Sequence, residues 1–216
     1  MHKAVIFDLD GVITDTAKYH YLAWKRMANQ EGIEIDEHFN ETLKGVDRMT
    51  SLERILALGT KIYTNEEKQR LADEKNEYYK ELIKGMTAKD LLPGASATLK
   101  SLRETGVKIG LASVSKNAVT IIERLGISKF FDHVVDANHL VKGKPDPEIF
   151  LKAAKELDTK PEECIGVEDA LVGIQAIKSA GMYAIGVGDP KVLNKADRVI
   201  PDLASFPTGA AYKAIS

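Results

Sequence analysis

Short apolar segments alternate with longer amphipathic stretches along the chain. The apolar segments lack polar alternation, which is typical of strands buried on both faces of a parallel sheet. They occupy residues 4–7, 107–112, 134–135, 164–167, 183–187 and 198–200. Helical periodicity lies between them, at residues 95–104, 117–125, 147–157 and 170–180. Because strands alternate with helices, the pattern predicts right-handed crossovers and a doubly wound α/β fold with a parallel sheet.

One long stretch, residues 16–84, breaks this alternation and shows no convincing strand pattern. Amphipathic helices are predicted there at 19–30, 51–58 and 66–83. We therefore expect an inserted α-helical domain at 15–90 and an α/β core formed by 1–14 and 91–216. Two connections lying side by side would allow the domains to close by a hinge motion.

The composition argues against several classes of protein. The chain has 216 residues, 44% of them hydrophobic and 29% charged, with a formal net charge of −2 and no basic stripe for nucleic acid. Its apolar segments are too short to span a bilayer, and no signal-peptide pattern is present. The single cysteine, Cys164, excludes an intramolecular disulfide and is expected to be buried. We therefore expect a cytoplasmic, monomeric protein that binds small molecules, with no nucleic acid or membrane partner.

Polar side chains follow four of the predicted strands at the point where each strand ends. In an open α/β sheet, ligands bind at the carboxyl ends of the strands. The polar residues at these ends are Asp8, Asp10, Ser113, Ser115, Asn117, Lys144, Glu168 and Asp169. Each could serve a local structural purpose alone, since an aspartate after a strand is a common helix cap. Together they predict one functional site at this edge of the sheet.

The residue types at this edge are suited to phosphoryl transfer. Four carboxylates, on Asp8, Asp10, Glu168 and Asp169, repel one another unless a cation neutralises them. A hard divalent cation that also accepts phosphate oxygens and water, Mg²⁺, is the expected cofactor. Lys144 adds a positive charge for a phosphoryl group. A carboxylate nucleophile, Asp8, would accept that group as an aspartyl phosphate.

The second carboxylate of the Asp-x-Asp pair, on Asp10, is suited to general acid–base catalysis. Such a group contributes roughly a hundred- to ten-thousand-fold to the rate. A free aspartate has a pKa near ~3.9 and is a poor proton donor at neutral pH. Burial when a cap domain closes would raise the pKa of Asp10. This requirement is a physical reason to expect a closing cap.

Four segments of the core resemble the motifs of the haloacid dehalogenase-like superfamily. They are 5–12 (VIFDLDGV), 111–113 (LAS), 144–145 (KP) and 166–169 (GVED). The resemblance implies a Rossmann-like core, a helical-bundle cap, an aspartyl-phosphate intermediate and Mg²⁺. It assigns Asp8 as nucleophile and Asp10 as acid/base, with the Asp10 backbone carbonyl as a metal ligand.

The same motifs imply roles for the remaining core residues. Glu168 and Asp169 fall at the acidic motif of the metal site, so the implied metal residues are Asp8, Asp10, Glu168 and Asp169. Ser113 and Lys144 fall at the positions that bind the transferring phosphate.

Segments of the cap resemble the sugar phosphomutases of that superfamily. They are 14–20 (TDTAKYH), 23–24 (AW) and 43–48 (LKGVDR), together with 112–117 (ASVSKN) in the core. A mutase that moves phosphate between C1 and C6 of a sugar handles a bisphosphate and needs a second phosphate site. Arg48 would grip that phosphate bidentately, aided by Ser115 and Asn117. Thr16 and His20 would act in hinge and cap closure.

Several cap residues carry weaker signals. Lys44, Gly45, Trp24 and Lys75 are candidate substrate contacts. Without the resemblance, Trp24 would be core of the cap, His20 a capping or core histidine, and Lys75 either a site or a surface lysine. We predict a sugar phosphomutase acting on small sugar phosphates. A Mg²⁺-dependent sugar-phosphate phosphatase and a non-catalytic sugar-phosphate binding protein remain as alternatives.

Overall fold

The computed structural model describes residues 2–43, 46–208 and 212. The chain divides into two compact units, one of Met1–Asp15 with Thr87–Ser216 and the other of Thr16–Met86. We call the first the core unit and the second the cap unit.

The core unit is built on a six-stranded parallel sheet, as the sequence predicts. Its strands are β1 Ala4–Phe7, β2 Lys108–Leu111, β3 His133–Val134, β4 Cys164–Glu168, β5 Tyr183–Val187 and β6 Arg198–Ile200. Their order in the sheet is β3-β2-β1-β4-β5-β6. β1 is therefore central, and its last residue, Phe7, pairs with Leu111 of β2 and Val167 of β4. This register brings the carboxyl ends of β1, β2 and β4 together.

Helices connect successive strands of the core unit. They are α5 Ala95–Glu104, α6 Ala118–Arg124, α7 Glu148–Glu156 and α8 Leu171–Ser179. The apolar faces of α7 and α8 bury Phe150 and Ile177 in one cluster with Ile6 of β1. The helices thus cover a sheet whose central strands are buried on both faces, as the uninterrupted apolar segments predict.

The cap unit is helical, with α1 Ala17–Gln30, α2 Glu37–Glu41, α3 Arg48–Leu56 and α4 Asn65–Ile83. α1 and α4 pack together and bury Trp24 and Met27 with Leu71. The α2 helix is missing from the sequence prediction because five residues are too few to establish a helical period. Among the described residues, no helix is both long enough and apolar enough to cross a membrane.

The start of α3 places Arg48 in the first turn of that helix. The Asp47 side chain accepts hydrogen bonds from the backbone N–H groups of Met49 and Thr50, at 3.0 and 3.1 Å. The helix begins at Arg48, three residues before the predicted start at residue 51. The prediction is late because the polar residues of the first turn carry no apolar periodicity. Arg48 is therefore held on a regular helix.

Candidate active site

Asp8 lies at the end of the central strand and is held by backbone contacts to both neighbouring strands. Its N–H donates to the Val167 carbonyl at 2.9 Å, and the Ala112 N–H donates to the Phe7 carbonyl at 2.8 Å. The Asp8 side chain is buried. The predicted nucleophile thus occupies a fixed position where three strands end.

Lys144 joins two of the predicted carboxylates. Its Nζ donates to Asp8 Oδ1 and to Glu168 Oε2, at 2.7 Å each. The Lys144 side chain has no exposed surface. Burial alone would lower the pKa of Lys144, but the charges of Asp8 and Glu168 outweigh it and the pKa is raised. Lys144 is therefore a permanent cation at the carboxylate that is predicted to accept phosphate.

Three carboxylates cluster at this edge of the sheet. Asp8, Glu168 and Asp169 each offer one oxygen, and these oxygens lie within 4.8 Å of one another. Burial, and then the charge of Glu168, raise the pKa of Asp8 to about 7 in spite of Lys144. Burial raises the pKa of Asp169 to about 9, with further contributions from Glu168 and Asp8. The cluster holds more negative charge than Lys144 compensates.

This donor set fits a hard divalent cation. Carboxylate oxygens are its preferred ligands, and such a cation would offset the repulsion that raises the pKa of Asp8 and Asp169. The backbone also makes room for Asp169 here. Gly11 has φ +78°, and a Cβ at that position would lie 1.9 Å from Asp169 Oδ2. Glycine therefore allows the Asp169 carboxylate to lie directly against the loop after β1.

Asp10 lies in a tight loop between β1 and the cap unit. The Gly11 N–H donates to the Thr14 carbonyl at 2.8 Å, and the Thr14 N–H donates to the Leu9 carbonyl at 3.1 Å. The Asp10 side chain is partly exposed, and its charge contributes to the raised pKa of Asp8. The Asp-x-Asp pair is therefore electrostatically coupled.

The loop after β2 is held by two hydroxyl groups in succession. Ser113 Oγ accepts the Ser115 N–H at 3.1 Å, and Ser115 Oγ accepts the Asn117 N–H at 3.3 Å. Ser113 and Asn117 are buried, and Asn117 immediately precedes α6. Because β2 is adjacent to β1, the predicted phosphate-binding Ser113 lies beside the end of the strand that carries Asp8.

The cap unit carries a partly buried arginine. Arg48 Nη2 donates to Asn76 Oδ1 at 2.8 Å, and Arg48 Nη1 lies 3.9 Å from Asp73 Oδ1. The Arg48 side chain is 16% exposed, and burial lowers its pKa from the usual value. Asn76 orients the guanidinium, because its amide oxygen accepts a hydrogen bond from one terminal nitrogen of this planar group. The sequence prediction missed Asn76, because the burial of one amide side chain in an amphipathic helix cannot be read from the sequence.

A second group in the cap unit centres on Lys75, which is 4% exposed. Its Nζ lies 3.0 Å from His20 Nδ1 and 4.2 Å from the centre of the Trp24 ring. The Tyr79 ring stacks on His20 with ring centres 4.2 Å apart. Burial, and then the charges of Lys75 and Arg48, lower the pKa of His20 well below its usual value. The neighbouring Lys75 therefore disfavours a protonated His20. The surface alternative for Lys75 is wrong, because its side chain is buried.

The remaining predicted cap residues have simpler surroundings. Trp24 is buried in the cap core, where the sequence alone places it. Thr16 is buried just before α1, and its carbonyl accepts the N–H groups of Tyr19 and His20 at 3.0 Å each. Lys44 and Gly45 lie outside the described residues.

Comparison with known proteins relates most of the chain to enzymes that act on phosphorylated substrates. A model of the haloacid dehalogenase-like hydrolase family matches residues 2–181. A β-phosphoglucomutase of Bacillus subtilis is 55% identical over 201 residues, covering 92% of this chain and 88% of the relative. A phosphorylated carbohydrates phosphatase of Thermotoga maritima is 32% identical over 205 residues, covering 91% of this chain and 92% of the relative.

A solved structure shows the same architecture. The β-phosphoglucomutase of Clostridium difficile superposes with a TM-score of 0.93 at 51% identity. The match covers 95% of this chain and 93% of the other. The predicted superfamily and the predicted Rossmann-like fold are therefore confirmed.

Proposed function

The chain belongs to the haloacid dehalogenase-like hydrolase family, and we propose that it is an isomerase that interconverts β-D-glucose 1-phosphate and glucose 6-phosphate. The observation that carries this assignment is the 55% identity to a β-phosphoglucomutase over 92% of the chain. That coverage includes the cap unit as well as the core unit, and the core chemistry alone would fit many phosphoryl-transfer enzymes.

Asp8 is the covalent nucleophile in this proposal. One of its carboxylate oxygens attacks a phosphorus of β-glucose 1,6-bisphosphate, the bond from that phosphorus to the sugar oxygen breaks, and an aspartyl phosphate forms. The 6-hydroxyl of β-D-glucose 1-phosphate then attacks the phosphoaspartate, which forms the bisphosphate and releases the Asp8 carboxylate. That carboxylate attacks the C1 phosphorus of the bisphosphate, so glucose 6-phosphate leaves and Asp8 is phosphorylated again. Lys144, hydrogen bonded to Asp8 Oδ1, offsets negative charge on the group being transferred.

Asp10 handles the proton in each half of the reaction. It protonates the sugar oxygen that leaves phosphorus, and it removes the proton from the hydroxyl that attacks the phosphoaspartate. Its side chain is partly exposed, so a bound sugar oxygen could approach it. The Ser113 hydroxyl donates to an oxygen of the transferring phosphate.

Mg²⁺ is the proposed cofactor. Asp8, Asp169 and Glu168 would hold it, with the backbone carbonyl of Asp10 as a further ligand. When bound, the ion supplies positive charge that screens the carboxylates from the incoming phosphate.

The cap unit supplies the residues proposed for the phosphate that is not being transferred. Arg48 is proposed to bind it through the guanidinium that Asn76 orients. The assignment of Ser115 and Asn117, which belong to the core unit, to this phosphate stays a prediction. Lys75 and His20 are proposed to contact substrate or to act in cap closure. The Trp24 ring contacts the Lys75 ammonium and is proposed to hold it in place. The roles of Thr16, Lys44 and Gly45 stay predictions.

A product assay tests the isomerase assignment. Purified enzyme is given β-D-glucose 1-phosphate, Mg²⁺ and a catalytic amount of β-glucose 1,6-bisphosphate. We expect glucose 6-phosphate as the main product and inorganic phosphate as a minor one, with the α anomer and a Mg²⁺-free reaction as controls. Stoichiometric release of inorganic phosphate would instead support a sugar-phosphate phosphatase, the function of the Thermotoga maritima relative.

Replacing Arg48 with alanine separates the two functions by a second route. We expect the KM for the bisphosphate to rise roughly 10- to 100-fold, because charge-assisted hydrogen bonds to phosphate are lost. Arg70→Ala is the matched control, since Arg70 is exposed and pairs only with exposed Glu74 among its described ion pairs, at 2.7 Å. Equal KM values for the two variants would contradict a distal phosphate site at Arg48.

A further inference from the structure

Gly173 occupies a position where glycine is locally unfavourable. It is buried in the first turn of α8, and its φ lies outside the left-handed region. Among residues other than proline, glycine stabilises a helix interior least. The backbone of α8 therefore gives no reason for a glycine here.

The reason lies in the space that the missing side chain leaves. A Cβ on Gly173 would lie 2.1 Å from both Cδ and Oε2 of Glu168, and 2.3 Å from its Cγ. Its three nearest neighbours all belong to that one side chain. The Glu168 side chain therefore fills the volume that any other residue at 173 would occupy.

That placement holds Glu168 in contact with Lys144. Glu168 is fully buried, and its Oε2 accepts the Lys144 Nζ bond at 2.7 Å. Its other oxygen, Oε1, accepts the N–H groups of Asp169 and Ala170 at 3.2 and 3.1 Å. Lys144 in turn donates to Asp8. A change in the Glu168 rotamer would move the partner that holds the lysine beside the nucleophile.

We propose that Gly173 is a positioning residue for phosphoryl transfer. Because it has no side chain, the Glu168 side chain can pack against the first turn of α8 and keep Lys144 hydrogen bonded to Asp8. The catalytic part of this inference rests on the proposed role of Asp8 and Lys144. The steric part does not, and the experiment tests the two parts separately.

The experiment compares Gly173→Ala in two backgrounds. In the otherwise native chain, we expect kcat/KM to fall about 100-fold or more, because Lys144 loses its buried partner. We also expect Tm, measured in metal-free buffer, to fall by about 5 °C or more, since the Glu168 charge is displaced from Lys144. Gly85→Ala is the matched control, because no atom lies within 4 Å of its Cβ position.

In a Glu168→Ala background, the atoms that clash are gone. There Gly173→Ala is expected to leave the residual kcat/KM unchanged within about twofold and to raise Tm by about 1–4 °C, because alanine is the better helix former. This reversal of sign is specific to a clash with Glu168. A loss of Tm in both backgrounds would overturn the proposal.

The Tm measurements need no substrate, so they distinguish this proposal from the proposed function. If the reversal occurs but the chain does not isomerise glucose phosphates, the steric relation holds and the assignment of the reaction fails. If isomerisation is found and Gly173→Ala is as active and as stable as the native chain, the positioning role fails alone.

Discussion

Replacing Asp8 with asparagine is expected to reduce glucose phosphate isomerisation by about 10⁴-fold or more, the scale seen when a covalent nucleophile is removed. The amide keeps the shape of the side chain but cannot form an acyl phosphate. Incubation with β-glucose 1,6-bisphosphate, followed by intact-mass measurement, is therefore expected to show a phosphorylated native chain and an unmodified variant. Turnover by the variant at the native rate would exclude the covalent mechanism.

The stability of the Asp8→Asn variant separates loss of chemistry from loss of fold. The pKa of Asp8 is raised to about 7 in the folded chain, against about 4 for an unfolded aspartate. Ionisation of Asp8 therefore costs stability in metal-free buffer, and that cost grows as pH rises from about 4 to about 7. The Tm of the variant minus the Tm of the native chain is therefore expected to increase as pH rises from about 4 to about 7. A variant that loses Tm at pH 8 would contradict this electrostatic account.

Replacing Lys144 with methionine is expected to have the second large effect, on both stability and turnover. The substitution leaves the buried carboxylates of Asp8 and Glu168 without the ammonium that lies 2.7 Å from each. Removing one partner of a buried ion pair costs about 3–5 kcal/mol, or roughly 6–20 °C in Tm for a chain of this size. Turnover is expected to fall about 10³-fold, because charge on the transferring group is no longer offset.

Two further variants identify the cause of that loss. Lys144→Met combined with Glu168→Gln removes one of the buried charges, and we expect it to recover most of the lost Tm but none of the turnover. Lys142→Met is the matched control, since Lys142 is exposed and lies 3.3 Å from Asp146 at the surface. We expect the control to change Tm by less than about 2 °C. An equal loss in both single variants would show that the loop, rather than the charge, is responsible.

The fold class could be predicted because the buried strands carry an unambiguous pattern. Uninterrupted apolar segments such as Ala4–Phe7 and Tyr183–Val187 have few structural alternatives, and the structure has these strands with the same bounds. The shortest strand, β3, was predicted one residue too late, at 134–135, because two residues carry no period. Elements that depend on polar caps, such as the start of α3, are similarly invisible to a pattern of apolar positions.

The site residues at strand ends could be predicted from the sequence. Contacts between side chains of different helices or strands could not. The carboxylates of Asp8 and Glu168 follow from topology, since parallel strands end at one edge. The burial of Lys75 does not, because it depends on Trp24 of another helix. Gly173 is the clearest case. Glycine is needed at 173 because the Glu168 side chain occupies the adjacent space, and neither helix propensity nor residue spacing predicts that rotamer.

The single cysteine provides the chain with an internal reporter of opening. Cys164 begins β4 next to the central strand, is buried, and contacts the Thr159 hydroxyl and the Lys160 carbonyl at 3.2 Å each. Burial raises the pKa of its thiol, which lowers the fraction of reactive thiolate. A thiol reagent can therefore modify the chain only after an opening that exposes the start of β4. The labelling rate, followed across the variants above, measures the free energy of that opening without any engineered reporter residue.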